Sequence, residues 1–127
     1  MIWLYIAVGG AAGAMARYGL AGWVQDRAGF QFPWGTLLVN VLGSALIGGA
    51  LRYLEATPAP AEVRALVTVG LLGAFTTFST FSYETVGLLE DGALGRAVVY
   101  SLGSLTLGIV AVYAGMSAAG FIVHVRG

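Results

Sequence analysis

The chain consists of four long apolar stretches separated by short polar connections. A helix needs about 20 predominantly apolar residues to cross roughly 30 Å of membrane hydrocarbon, and each stretch is long enough. The pattern predicts an all-α integral membrane protein with four transmembrane helices in one domain, residues 1–127. The stretches run from Ile2 to about Val24, from Ala28 to Leu51 with the helix starting near Trp34, from about Glu62 to Leu89, and from Ala97 to Val123.

Composition supports a lipid-facing exterior. The chain is 58% hydrophobic and 9% charged, whereas a soluble domain carries about 25% charged residues. The absence of cysteine excludes disulfides and thiol chemistry. The net charge is zero and the chain has no basic cluster, so we do not expect it to bind nucleic acid. The single histidine, His124, has no acid or nucleophile placed to work with it, so we do not expect an enzyme.

The arginines are divided almost equally between the two sides that four spans would create. An excess of Arg and Lys normally marks the cytoplasmic side, and here that signal nearly vanishes. The balance favours dual topology, in which copies insert both ways and pair antiparallel; the alternative is orientation by another signal. Because four short helices fill their own centre, transport would require an oligomer, most simply a two-fold dimer. One side holds Arg52, Arg64 and Arg126, and the other holds Arg27 and Arg96, with Arg17 leaning the same way.

The third apolar stretch contains an unusual segment, Gly70 to Ser82, which combines glycine, hydroxyl residues and evenly spaced phenylalanines. Ser and Thr draw hydrogen bonds away from the helix ladder, and Gly removes the steric bias toward helix. We therefore expect a broken helix between Gly73 and Ser82, although a continuous helix with back-bonded hydroxyls remains the alternative. Carbonyls freed at a break can coordinate a cation, while amides and hydroxyls can donate to an anion.

Other polar residues lie at membrane depth, where each needs a partner, water or a function. Arg17 either snorkels to the interface or lines a vestibule that attracts anions. Asn40 either bridges helices or points its N–H donors at an anion. Glu84 is expected near a helix end. Tyr100 and Ser104 are four residues apart and share a helix face that would continue a polar track.

The chain resembles the Fluc fluoride channels, also called CrcB proteins. Four segments carry the resemblance and extend from one end of the chain to the other. They are Gly9-Gly-Ala-Ala-Gly-Ala-Met-Ala-Arg-Tyr18, Trp34-Gly-Thr-Leu-Leu-Val-Asn-Val-Leu-Gly43, Gly70 to Ser82 with Glu84, and the pair Tyr100 and Ser104.

The resemblance implies an antiparallel, dual-topology homodimer with two pores that exports fluoride passively across the cell membrane. It implies no organic cofactor, and a structural sodium ion at the dimer interface that is bound by the backbone carbonyls of Gly73 and Thr76. Arg17 would be the vestibule arginine and Glu84 a carboxylate near the pore end. The implied pore residues are Asn40, Phe78, Ser79, Thr80, Phe81, Tyr100 and Ser104.

One departure and two alternatives qualify this expectation. The family's polar track on the fourth helix often continues one turn beyond Ser104, where this chain has Gly108 and then Val112. A small multidrug-type transporter would also be a four-span dual-topology dimer, but that class uses an embedded Glu in its first helix, which is absent here. A membrane assembly subunit without transport activity would have no path through the protein.

Overall fold

The protein is all-helical in a computed structural model that describes every residue, Met1–Gly127. The second long helix begins at Trp34, as predicted, and the long helices extend one to four residues beyond their predicted ends. The helices are α1 (Ile2–Ala28), α2 (Trp34–Glu55), α3 (Ala61–Arg64), a π-helical segment (Ala65–Leu72), α4 (Gly73–Phe75), α5 (Phe78–Glu90) and α6 (Leu94–Arg126).

Three helical segments are long and apolar enough to cross a membrane: Trp34–Glu55, Ala61–Glu90 and Leu94–Arg126. The 27 residues of α1 are also sufficient in length, at about 1.5 Å per residue. However, α1 contains Arg17, a polar last turn and five glycines, which lower its hydropathy. The prediction of an all-α protein with several membrane-length helices is confirmed.

Small residues bring the helices into direct backbone contact. On the interface between α2 and α6, a Cβ atom at Gly48 would overlap the Val112 carbonyl oxygen, and one at Gly115 would overlap the Ala45 carbonyl oxygen. Similarly, a Cβ at Gly13 of α1 would overlap the carbonyl oxygen of Leu71. Such close approach is how membrane helices gain van der Waals contact without a hydrophobic driving force between them.

The Gln25 side chain binds the connection between α1 and α2 at three points. Its Nε2 donates to the Gly29 carbonyl and, at 2.9 Å, to the Phe32 carbonyl. Its Oε1 accepts the Gly35 amide at 3.1 Å, a first-turn donor of α2 without a partner inside the helix. Gln25 therefore fixes the start of α2, which carries Asn40, relative to the end of α1, which carries Arg17.

Candidate functional site

Two residues between α4 and α5, Thr76 and Thr77, have extended backbone geometry. Their φ and ψ angles are −92° and 158° for Thr76 and −148° and 124° for Thr77. In an uninterrupted α-helix the Thr77 amide would donate to the Gly73 carbonyl. Instead it donates to Oδ1 of Asn40 at 2.8 Å.

Asn40 satisfies both backbone groups of Thr77. Its Nδ2 also donates to the Thr77 carbonyl at 2.9 Å, so the carboxamide pairs with Thr77 in the way that a neighbouring strand would. This is the helix-bridging role of Asn40, because α2 is joined to the segment between α4 and α5. A carboxamide has two N–H donors, and this pairing occupies one of them.

Arg17 and Thr80 complete the hydrogen bonding around the extended residues. The Arg17 Nε donates to the Ala74 carbonyl at 3.1 Å, a carbonyl that the Phe78 amide would bind in a continuous helix. On the other side, the Thr80 amide donates to the Thr77 hydroxyl at 3.2 Å, which makes Thr77 the N-cap of α5. The extended geometry thus depends on side chains from α1 and α2 and on the first turn of α5.

We call the first of two cavities beside Thr77 the Asn40 cavity. It has a volume of about 300 Å³. The Phe78 ring is 79% exposed, and its centroid lies 5.9 Å from that of Phe81. The Ser104 Oγ is buried and has no hydrogen-bond partner. The lining residues are Asn40, Ser44, Ile47, Thr76, Thr77, Phe78, Phe81, Ser104, Leu105 and Gly108.

The second cavity, which we call the Arg17 cavity, is about 600 Å³ in volume and lies beside α1. Arg17 lines it together with Asp26, and Thr77 and Thr80 lie along its wall. Thr77 lines both cavities. The extended residues therefore separate a space that contains a cationic side chain from a space that contains aromatic rings and an unpaired hydroxyl.

Tyr100 lies behind Phe81 rather than in either cavity. It is fully buried, its hydroxyl donates to Oε1 of Glu84 at 3.3 Å, and its ring centroid is 5.1 Å from that of Phe81. The Phe32 ring meets Tyr100 edge-on at 5.4 Å. Glu84 lines a third space of about 280 Å³ near the connection between α1 and α2. Tyr100 thus links Glu84 to the ring of Phe81.

The structure groups the residues singled out in the sequence as follows. The Asn40 cavity contains Asn40, Phe78, Phe81, Ser104 and Thr76, whereas Arg17 and Thr80 line the Arg17 cavity. Gly73 and Ser79 are exposed on the surface of the single chain and line neither cavity.

Sequence reasoning missed two residues of this site. The Thr77 side chain caps α5. Threonine is among the residues preferred at helix N-caps, so the sequence contained a signal for this role. Ser44 lines the Asn40 cavity, and its position four residues after Asn40 placed it on the same helix face.

An all-helical chain with three membrane-length apolar segments is a multi-pass membrane protein. A sequence model described as "CrcB-like protein, Camphor Resistance (CrcB)" matches residues 4–116. The chain therefore belongs to the CrcB family, and the protein is located in the cell membrane.

Relatives from three organisms carry the same curated name, "Fluoride-specific ion channel FluC". The protein from Thermus thermophilus is 48% identical over 121 residues, which cover 95% of each chain. The protein from Geobacter sulfurreducens is 53% identical over 117 residues, covering 91% of this chain and 94% of the relative. The protein from Hahella chejuensis is 48% identical over 115 residues, covering 90% and 91%.

Proposed function

We propose that this protein is a fluoride-specific ion channel, and not an enzyme, that exports fluoride passively across the cell membrane. The observation that carries the proposal is the identity of 48% over 95% of both chains with a relative named as such a channel. Coverage of nearly the whole length means that the aligned region includes the residues between α4 and α5 and those that line both cavities.

The chemistry of the Asn40 cavity supports an anion as the permeating species. Fluoride is small and strongly hydrated, so a pore has to replace its hydration shell with donors in a narrow space. Asn40 has a second N–H beyond the one given to Thr77, and the Ser104 hydroxyl has no partner. Phe78 and Phe81 add ring edges, which carry partial positive charge.

A dimer would complete the pore. In the single chain the Phe78 ring lines the Asn40 cavity but is largely exposed, so this side of the cavity is open unless another protein surface covers it. We propose that four spans per chain, including α1, assemble as an antiparallel homodimer with one pore per copy. The near balance of arginines supports insertion in both orientations. Thr76 and Thr77 lie about midway along the segment Ala61–Glu90, so the breaks of two copies would meet near the membrane centre.

A sodium ion at the dimer interface suits the carbonyls near the break. The Thr77 amide is bound to Asn40, so it does not occupy the Gly73 carbonyl. Gly73 is exposed on the single chain, where a second copy would meet it. No group of three or more His, Cys, Asp or Glu side chains lies together, which makes main-chain oxygens the suitable ligands. We propose Gly73 and Thr76 as the residues that would hold it.

Fluoride efflux from liposomes containing the purified protein tests the proposed function. We expect fluoride to leave these liposomes much faster than protein-free ones and chloride to leave no faster than the background. A fluoride-sensitive electrode and a chloride electrode measure both rates on the same preparation. Efflux equal to that of protein-free liposomes would instead support an assembly subunit, and equal rates for the two halides would remove fluoride specificity.

The sodium site predicts that replacing sodium with N-methylglucamine destabilises the dimer. A ligand that binds only the folded state stabilises it by about 2.7 kcal/mol at a hundred times its dissociation constant, and removal forfeits that contribution. The apparent unfolding temperature and the dimer fraction in size-exclusion chromatography should both fall, and lithium or potassium should restore them less well than sodium. Identical values in all four cations would exclude a specific sodium site.

A further inference from the structure

The Asn40 cavity contains a second serine, Ser44, that lies on α2 opposite Ser104 of α6. Asn40 and Ser44 are four residues apart and therefore occupy the same face of α2. Because both line the cavity, the donors on α2 extend over a full helical turn.

On α6, the face that lines the cavity has a side-chain donor at one position but none one turn later. Ser104 and Gly108 are also four residues apart, and both line the cavity, but Gly108 brings no donor of its own. A Cβ atom built on Gly108 would lie 3.7 Å from the Oγ of Ser44, which is ordinary van der Waals contact. The Ser44 hydroxyl is therefore located next to the space into which a side chain at position 108 would project.

Three hydroxyls on α5 and α6 are hydrogen-bonded within their own helix. Ser82, Thr85 and Ser101 each donate to the carbonyl four residues earlier, at 3.0, 2.8 and 2.8 Å. The Ser104 Oγ is different, since it is buried without a partner. A buried hydroxyl without a partner is costly, and the Ser104 hydroxyl is free to donate to a species inside the cavity.

We propose that Ser44 is a pore-lining donor that replaces, from α2, the hydroxyl that α6 lacks at Gly108. The inference rests on the proposed function: the species that receives the hydrogen bonds is the permeating fluoride ion. Asn40 and Ser44 of α2 and Ser104 of α6 then form a series of donors along the cavity.

Moving the hydroxyl between helices tests this inference. The variants are Ser44→Ala, Gly108→Ser and the double variant, assayed for fluoride efflux from liposomes beside the wild type. Ser44→Ala should slow efflux by about tenfold, the effect expected for losing one hydrogen bond to a charged species. Gly108→Ser alone supplies the reference rate for the double variant, and its added Cβ meets only van der Waals contact. The double variant should recover most of the lost rate.

Ser101→Ala is the matched control, because its hydroxyl donates to the Ala97 carbonyl and not into the cavity; its efflux should equal that of the wild type. If Ser44→Ala does not elute as a dimer, Ser44→Cys, which keeps the side-chain size and weakens the donor, takes its place. Wild-type efflux from a Ser44 variant would overturn the inference and leave the channel intact. A loss that Gly108→Ser does not restore would assign Ser44 a packing role. A wild-type protein that fails to release fluoride would overturn the proposed function itself.

Discussion

Replacing Asn40 with leucine is expected to reduce fluoride efflux by about a hundredfold or more. Asn40 binds both the amide and the carbonyl of Thr77, at 2.8 and 2.9 Å. Leucine would leave two half-buried main-chain groups unpaired, each costing about 1–3 kcal/mol, and about 1.4 kcal/mol corresponds to a tenfold change in the population of the extended conformation. The extended residues would lose their partner on α2, and the cavity would lose its carboxamide donor.

Asn40→Asp separates these two effects. The carboxylate retains an acceptor for the Thr77 amide but loses the donor to the Thr77 carbonyl, and it places negative charge in the path of an anion. We expect efflux near that of protein-free liposomes although the dimer remains intact in size-exclusion chromatography. Gln31→Leu, the same amide-to-leucine exchange at an exposed position, should behave as the wild type. Efflux within twofold of the wild type in either Asn40 variant would remove Asn40 from the site.

The fold was predictable wherever the signal is local. Membrane-length helices follow from apolar runs of sufficient length, and the start of α2 at Trp34 follows from Pro33. The packing of the helices was not predictable in this way. Whether Gly48 faces Val112 and Gly115 faces Ala45 depends on the relative register of α2 and α6, and many of the chain's 20 glycines would satisfy the small-residue rule equally well.

The location of the extended residues was predictable, but their hydrogen bonding was not. Thr76 and Thr77, the two extended residues, lie within the string Gly70–Ser82. Which residues of the string leave the helix depends on partners distant in sequence: Asn40, 37 residues before Thr77, and Arg17, 57 residues before Ala74. For Arg17, the sequence suggested snorkelling or a vestibule. The structure adds a bond to the Ala74 carbonyl for a side chain that also lines a cavity.

Replacing Gly115 with alanine is expected to be the most destabilising single-methyl change in the chain. A Cβ at this position would overlap the Ala45 carbonyl oxygen and approach the Gly49 amide at 3.0 Å. Both are backbone atoms in α2, which cannot rotate away as a side chain can, so α2 and α6 have to separate. Overpacking of this kind typically costs about 1–3 kcal/mol and occasionally more, and here it also widens the Asn40 cavity, which the same two helices enclose.

The matched variant is Gly95→Ala near the start of α6, where a Cβ meets nothing within 4 Å. It adds the same methyl group and the same gain in helix propensity. We expect Gly95→Ala to retain or slightly raise the wild-type unfolding temperature in detergent and Gly115→Ala to lower it by several degrees, with a smaller dimer fraction. Because the interface carries both Asn40 and Ser104, fluoride efflux should fall along with stability. Equal unfolding temperatures for the two variants would mean that α2 and α6 do not meet at Gly115 in the membrane.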